Sequence, residues 1–322
     1  MNEHSFTAPA SEDIREAAAR ISGRIHRTPL LTCEAIDRIT GARIFFKCEN
    51  FQKVGAFKAR GATNAVFSLT SEELQRGVCT HSSGNHAQAL ARAAALAGTK
   101  AHIVMPSNSS KVKIEAVKGY GGLITFCEPT LEARESTLAA VKAATGATEI
   151  HPYNDARIIA GQATAALEMI EDGGSFDLIM APVGGGGLLS GTALSAHYFS
   201  PSTHVIGAEP DMADDASRSF RQKTFIPSVN PQTIADGLRT SLGSITFPII
   251  LAHVSDVVTC SETSIIQAMR LIWERMKIVT EPSSAVPLAT LLEDKVDVAG
   301  KKVGIILSGG NVDLDDLPWI SK

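Results

Sequence analysis

Residues 178–188 read Leu-Ile-Met-Ala-Pro-Val-Gly-Gly-Gly-Gly-Leu. The short unbroken apolar run predicts a strand buried on both faces, the kind found inside parallel sheets. The apolar stretch that follows, 188–197, predicts a helix. The glycines therefore join a strand to a helix, the basic unit of a parallel α/β fold. A tight turn needs only one or two glycines. Gly184, Gly185, Gly186 and Gly187 together let successive N–H groups converge on one anion beside the positive end of a helix, with no Cβ in the way. The spacing is not GxGxxG and no lysine follows, which argues against a dinucleotide site and against a P-loop.

The same alternation extends in both directions. Strands are predicted at 43–48, 78–82, 101–105, 124–126, 148–151, 204–209, 256–260 and 302–307. Helices are predicted at 11–21, 85–97, 111–120, 131–144, 263–276 and 284–292, several of them stopped by glycine. This order gives an α/β fold of two domains, each a mainly parallel sheet with helices on both faces. The compact set at 79–152 reads as a small mobile substrate domain, inserted into a large domain formed by 1–78 and 153–322. Ligands of such sheets bind at the carboxyl ends of the strands, here in the cleft between the domains.

With 322 residues and 44% hydrophobic content, the chain can bury a large core. A net charge of −4 argues against a nucleic-acid partner or a polybasic membrane surface. No stretch approaches the ~20 apolar residues of a membrane span. Met1 to Asp13 is polar and lacks the apolar core of a signal peptide. Five scattered cysteines without a CxxC pair fit a reducing cytoplasm.

The chemistry emerges when the glycine run is set beside Gly55-Ala56-Phe57-Lys58-Ala59-Arg60-Gly61. A reactive amine and a phosphate cup in one chain point to a phosphorylated aldehyde held as a Schiff base, pyridoxal 5'-phosphate. Semi-burial and the neighbouring Arg60 would lower the pKa of Lys58; the bland alternative is a surface lysine. Ser82-Ser83-Gly84-Asn85-His86 ends a strand and opens a helix, where free N–H groups hold carboxylate or phosphate; the bland alternative is a plain cap. Ser308-Gly309-Gly310-Asn311 follows the last strong strand, where its hydroxyl could meet a pyridine nitrogen. Glu209-Pro210-Asp211-Met212-Ala213-Asp214-Asp215 offers hard oxygen ligands for Mg²⁺ or Ca²⁺, although a solvated acidic loop is the commoner case.

These five segments, in this order, resemble the serine racemase and serine/threonine dehydratase family of pyridoxal-phosphate enzymes. The similarity runs from Arg27-Thr28-Pro29-Leu30 to Asn311-Val312-Asp313-Leu314 and includes Thr233 to Gly237 and Trp273 to Lys277. The resemblance implies that Lys58 holds the cofactor and acts as base at Cα, with Ser83 on the opposite face. Phe57 and Glu281 would flank the ring, Asn85 would bond its 3-oxygen and Ser308 its nitrogen. Gly184 to Gly187, with Leu188, would hold the phosphate. Ser82, Ser83, Asn85 and His86 would receive the substrate carboxylate, and Arg134 and Thr240 would reach the substrate on closure. Glu209, Asp215 and the Ala213 carbonyl match the family's divalent-metal site, with Mg²⁺ preferred over Ca²⁺ or Mn²⁺. A homodimer is implied.

The chain departs from the family pattern at Val54, Ala56, Ala87 and Thr240, and at the stretch Tyr153 to Arg157. These positions surround the substrate rather than the cofactor. The expected reaction is β-elimination from a β-hydroxy α-amino acid, namely 3-hydroxyaspartate, threonine or serine, with 3-hydroxyaspartate favoured. Its second carboxylate would call for a cation, first Arg134 and then Arg157 or Arg239. The alternative is a serine or aspartate racemase using Lys58 and Ser83.

Overall fold

The computed structural model describes residues 8–320. Ten strands occur in chain order: β1 (Leu30–Thr32), β2 (Arg43–Cys48), β3 (Val78–His81), β4 (Ala101–Pro106), β5 (Leu123–Cys127), β6 (Thr148–Glu149), β7 (Leu178–Pro182), β8 (His204–Pro210), β9 (Asp256–Cys260) and β10 (Lys302–Leu307). They form a six-stranded sheet, ordered β1-β2-β10-β7-β8-β9, and a four-stranded sheet, ordered β5-β4-β3-β6. All pairings are parallel except the β1–β2 edge, where Leu31 lies opposite Phe46.

Side-chain character explains these positions. Every residue of β7 is buried, and β10 is buried from Val303 onward, so both need helices on two faces. Strand β5, half exposed, lies at the edge of the small sheet. The apolar alternation in β2, Ile44 and Phe46 inward, joins the main core around Met180, Ile305 and Val286.

Sheet order gathers the sequence motifs. Leu307 pairs with Cys48, and Ile305 with Met180, so the carboxyl ends of β2, β10 and β7 are neighbours. The loops leaving them carry Lys58, Ser308 and the glycines. On the small sheet, β3 leads into Ser82 and Ser83, and β6 leads into His151.

Several elements go beyond the sequence reading. Strand β1 and the helices Glu34–Thr40, Lys58–Phe67, Ser71–Arg76, Ala156–Gly173, Asp215–Gln222 and Thr246–His253 are additional. The Ala156–Gly173 helix is buried at every position from Ile158 to Leu167, so its polar Gln162 and Thr164 lie inside with the apolar residues. It lies between the Lys58–Phe67 helix and the Gly187–Phe199 helix. Close approach at both contacts requires glycine. A Cβ on Gly61 would lie 2.9 Å from the Ile158 carbonyl, and one on Gly191 would lie 2.6 Å from the Ala163 nitrogen.

The two-domain division remains a proposal, supported by the confinement of the small sheet to 78–149. The Lys58–Phe67 helix packs across that division: Ala59, Ala62 and Val66 share one cluster with Ala87, Leu90 and Ile103. Among the described residues, no helix is long and apolar enough to cross a membrane.

Candidate active site

Lys58 is the first residue of the Lys58–Phe67 helix rather than part of a loop. The chain leading to it is tightly held. The Gln52 amide oxygen accepts from the N–H groups of His26 (2.9 Å) and Lys53 (2.8 Å). Val54 then adopts φ 57°, a left-handed conformation uncommon for a β-branched residue, and Gly55 follows at φ 69°. Ala56 bridges to Gly309, and the Phe57 N–H donates to the Ser308 carbonyl at 3.0 Å. Lys58 is thereby fastened to the end of β10.

Lys58 Nζ donates to the Pro152 carbonyl at 2.7 Å and lies 5.0 Å from the centre of the Phe57 ring. Burial pushes the amine down to about 8, against the pull of the Glu281 carboxylate. Arg60 does not provide this shift, contrary to the sequence expectation. Its guanidinium is fully buried elsewhere, bonded to Glu49 at 2.7 and 2.8 Å and to Glu168 at 2.8 Å. Lys47 donates to the same Glu168 at 2.7 Å, so two cations and two carboxylates balance one another inside the fold.

The four glycines form a cradle that no other residue could build. A Cβ on Gly184 would fall 2.9 Å from the Leu238 backbone, and one on Gly185 only 2.3 Å from the Tyr153 ring. Gly186, at φ 87°, caps the helix Gly187–Phe199, and Leu188 is buried in its first turn. The Thr246 hydroxyl donates to the Gly185 carbonyl at 2.8 Å and ties down one side of the loop. Unobstructed N–H groups at the start of a helix fit a phosphate monoester.

Facing the cradle's sheet edge, Asn85, Glu281 and Asn311 interlock. Asn85 Nδ2 donates to both Glu281 oxygens at 3.1 Å, while Asn85 Oδ1 accepts from Asn311 Nδ2 at 2.8 Å. The Asn311 main-chain N–H also reaches Glu281 at 3.1 Å. Burial, and then the charge of Asp236, raise the Glu281 carboxyl to about 7, so it carries a proton readily near neutrality. Ser308 lies 3.1 Å from the Ser284 hydroxyl. Ser284 gives its own proton to the Gly309 carbonyl at 2.6 Å.

The substrate-loop residues divide into two groups. The Ser82 hydroxyl accepts from the Gly84 N–H at 3.3 Å, whereas the Ser83 hydroxyl carries no hydrogen bond among the described residues. The helix Asn85–Leu96 begins there with its first N–H groups free. The His86 ring, however, turns inward, with Nε2 3.0 Å from the Ile150 carbonyl and Nδ1 buried without a partner. Nε2 must then carry the proton, and burial holds the ring neutral down to about 3. His86 can therefore offer an anion only its main chain.

Arg134 is half-buried with an unpartnered Nε, and Thr240 lies beside the Tyr153 phenol. The two reserve cations are committed. Arg157 grips Asp155 at 3.0 and 2.6 Å, and Arg239 donates to the Thr233 carbonyl at 3.0 Å.

The acidic segment is not a simple solvated loop. Asp211 is exposed, but Glu209, at the end of β8, and Asp215, opening the next helix, are buried. Glu209 accepts from the N–H groups of Ala216 (3.0 Å) and Ser217 (2.8 Å). Both Asp215 oxygens are buried without a hydrogen-bond partner. Burial raises Asp215 to about 6, and burial and the Asp215 charge raise Glu209 well above the usual range. Two buried carboxylates side by side, one of them without direct donors, suit a hard cation. No three His, Cys, Asp or Glu side chains converge among the described residues, so a cation would also need the Ala213 carbonyl and water.

Sequence reasoning did not single out the Pro152 carbonyl, His151, Ser284 or the Asn311 side chain. Their signals were His151-Pro152 closing a predicted strand and Asn311 ending the final glycine turn.

A family model described as pyridoxal-phosphate dependent enzyme matches residues 21–309. A protein named beta-hydroxyaspartate dehydratase from Paracoccus denitrificans (strain Pd 1222) is 51% identical over 311 residues, covering 97% of this chain and 99% of its own. A serine racemase from Dictyostelium discoideum is 49% identical, covering 96% and 97% of the two chains. The solved structure of maize serine racemase superposes with a TM-score of 0.94 at 46% identity, covering 96% of this chain and 95% of that one.

Proposed function

Because the chain belongs to the pyridoxal-phosphate-dependent enzyme family, we propose that it is a dehydratase converting 3-hydroxyaspartate to an oxo acid and ammonia. The observation that carries the reading is the buried Lys58 amine, pushed down to about 8, on the same sheet edge as the glycine cradle. The substrate class is supported by the name of the Paracoccus denitrificans relative.

Bound pyridoxal phosphate supplies an electron sink for charge developing at Cα. Gly184 to Gly187 and Leu188 would hold its phosphate on N–H groups at a helix start. Phe57, Asn85 and Glu281 would border its ring, and the Ser308 hydroxyl would meet its nitrogen. A hydroxyl there does not force the nitrogen to stay protonated, which favours prompt loss of the β-group. The Pro152 carbonyl holds the free Lys58 amine ready. The Ser82–Ala87 segment receives the α-carboxylate through its hydroxyls and N–H groups, and Arg134 and Thr240 complete the pocket. Lys58 Nζ takes the Cα proton and passes it to the β-hydroxyl, which leaves as water. The released enamine becomes an imine, adds water and loses ammonia, so the net products are an oxo acid and ammonia.

Racemisation is the second reading, favoured by the unbonded Ser83 hydroxyl and by the serine racemase relatives. Ser83→Ala would abolish it while sparing elimination. The Glu209, Asp215 and Ala213 group is proposed to hold Mg²⁺, on the strength of its orphaned carboxylate. The five unpaired cysteines support a reducing compartment, and a homodimer is testable by gel filtration.

Lys58→Ala tests the proposal. The variant should lose both the near-visible absorbance band of the Schiff base and all ammonia release. Turnover without Lys58 would sink the reading.

A further inference from the structure

His151 immediately precedes Pro152, whose carbonyl holds Lys58 Nζ at 2.7 Å. Two main-chain N–H groups converge on His151 Nδ1, from Tyr153 at 3.3 Å and Asn154 at 2.9 Å. A ring nitrogen that accepts N–H donors is the unprotonated one, so the proton sits on Nε2. That Nε2–H has no partner among the described residues. Edge-on contacts with the rings of Tyr153 (4.6 Å between centres) and His81 (6.4 Å) fix the imidazole plane. Tyr153 itself lies against Gly185 of the cradle. The ring is neutral at physiological pH: burial, His81 and Lys58 push it down to about 4, while Glu149 and Asp155 oppose.

A hydrogen-bond donor of fixed tautomer thus stands one residue from the lysine's anchor and one ring from the cradle. A dicarboxylic substrate needs a donor beyond those of the α-carboxylate loop. Arg157 and Arg239 are already committed, to Asp155 and to the Thr233 carbonyl. We propose that His151 is a specificity-determining residue, donating through Nε2–H to the second carboxylate of the substrate alongside Arg134. This rests on the dicarboxylate reading above.

The test uses the holoenzyme with two unreactive probes, succinate and butyrate, and reads binding from the cofactor's absorbance band. His151→Asn keeps an acceptor near the place of Nδ1, so the Pro152 turn retains its N–H partners, but its side chain is too short to replace the Nε2 donor. Loss of a hydrogen bond to a charged group should weaken succinate about tenfold or more. Butyrate affinity and kcat/KM for L-serine should stay within about twofold. Unchanged succinate binding would overturn the proposal, as would equal weakening of both probes and of L-serine turnover, the mark of a merely structural role. Should the variant misfold, ¹⁵N-histidine spectra of the unsubstituted holoenzyme decide. Succinate must shift a protonated Nε2 of one imidazole that butyrate leaves alone, and no such shift contradicts the assignment. If the unsubstituted enzyme itself binds succinate no better than butyrate, the dicarboxylate reading has failed. If it discriminates and His151→Asn discriminates equally, only the His151 role has failed.

Discussion

A Cβ built on Gly161 would lie 2.5 Å from the Cα of Gly61, so two helices meet there backbone to backbone. One helix begins at Lys58; the other, Ala156–Gly173, presses its opposite side on the helix that opens at the glycine cradle. The distance between the lysine and the phosphate cup is therefore set by two glycine contacts rather than by large interlocking side chains. Gly161→Ala should force the Lys58 helix outward. Overpacking of this kind costs about 1–3 kcal/mol. We expect a lower urea midpoint and cofactor affinity reduced about tenfold, measured by equilibrium dialysis. A variant with unchanged stability and affinity would show that this contact does not set the spacing.

Arg60 anchors the same helix from below. Removing it leaves Glu49 and Glu168 facing Lys47 alone, with a net buried negative charge. Breaking a buried charge network in this way costs about 3–5 kcal/mol. Arg60→Leu should lower apoenzyme stability by that order, and Arg60→Leu with Glu49→Leu should recover much of the loss. Chemical denaturation of both variants is the check, and a double variant no more stable than the single one would contradict the account.

Lys58 sets a pH dependence. Burial lowers its folded-state pKa from the ordinary value of 10.5 to about 8. Only the neutral amine attacks an aldehyde, so cofactor capture by the apoenzyme should rise with pH and level off above about 8. Between about 8 and 10.5 the unfolded chain holds the proton that the folded one has lost, so apoenzyme stability from this group increases with pH across that window. Stopped-flow capture rates that keep rising toward 10.5 would show an unperturbed lysine.

Both Asp215 oxygens are buried without a direct hydrogen bond among the described residues, and the divalent cation proposed above would supply the missing partner. Millimolar Mg²⁺ or Ca²⁺ should raise the melting temperature by several degrees, as expected for a ligand binding only the folded state well above its Kd. Asp215→Asn should abolish the shift. Equal shifts in both proteins would place the cation elsewhere.

How far the sequence could be read depended on the kind of force at each position. Strands such as β7 and β10 were legible because unbroken apolar runs next to glycine have few other uses. The segments of Lys58, the four glycines and Ser308 stood out for the same reason, their unusual composition, and the fold brings them to neighbouring strand ends. The Ala156–Gly173 helix was not singled out, and its polar Gln162 and Thr164 are buried among its apolar residues. Nor could the role of Arg60 be read: adjacency to Lys58 in sequence suggested electrostatic influence, but two residues along a helix point in different directions. The His86 ring and the Asn85–Glu281–Asn311 interlock depend on contacts between residues 30 to 226 positions apart, which no local pattern reports.

The most direct measurement is ammonia and oxo-acid release by the Mg²⁺-supplemented holoenzyme from the 3-hydroxyaspartate stereoisomers, L-threonine and L-serine. We expect kcat/KM for one 3-hydroxyaspartate isomer to exceed that for L-serine and L-threonine by about a hundredfold, as befits a site built to pair a second carboxylate. Inversion of serine or aspartate without oxo-acid release would contradict the dehydratase account and make the protein a racemase.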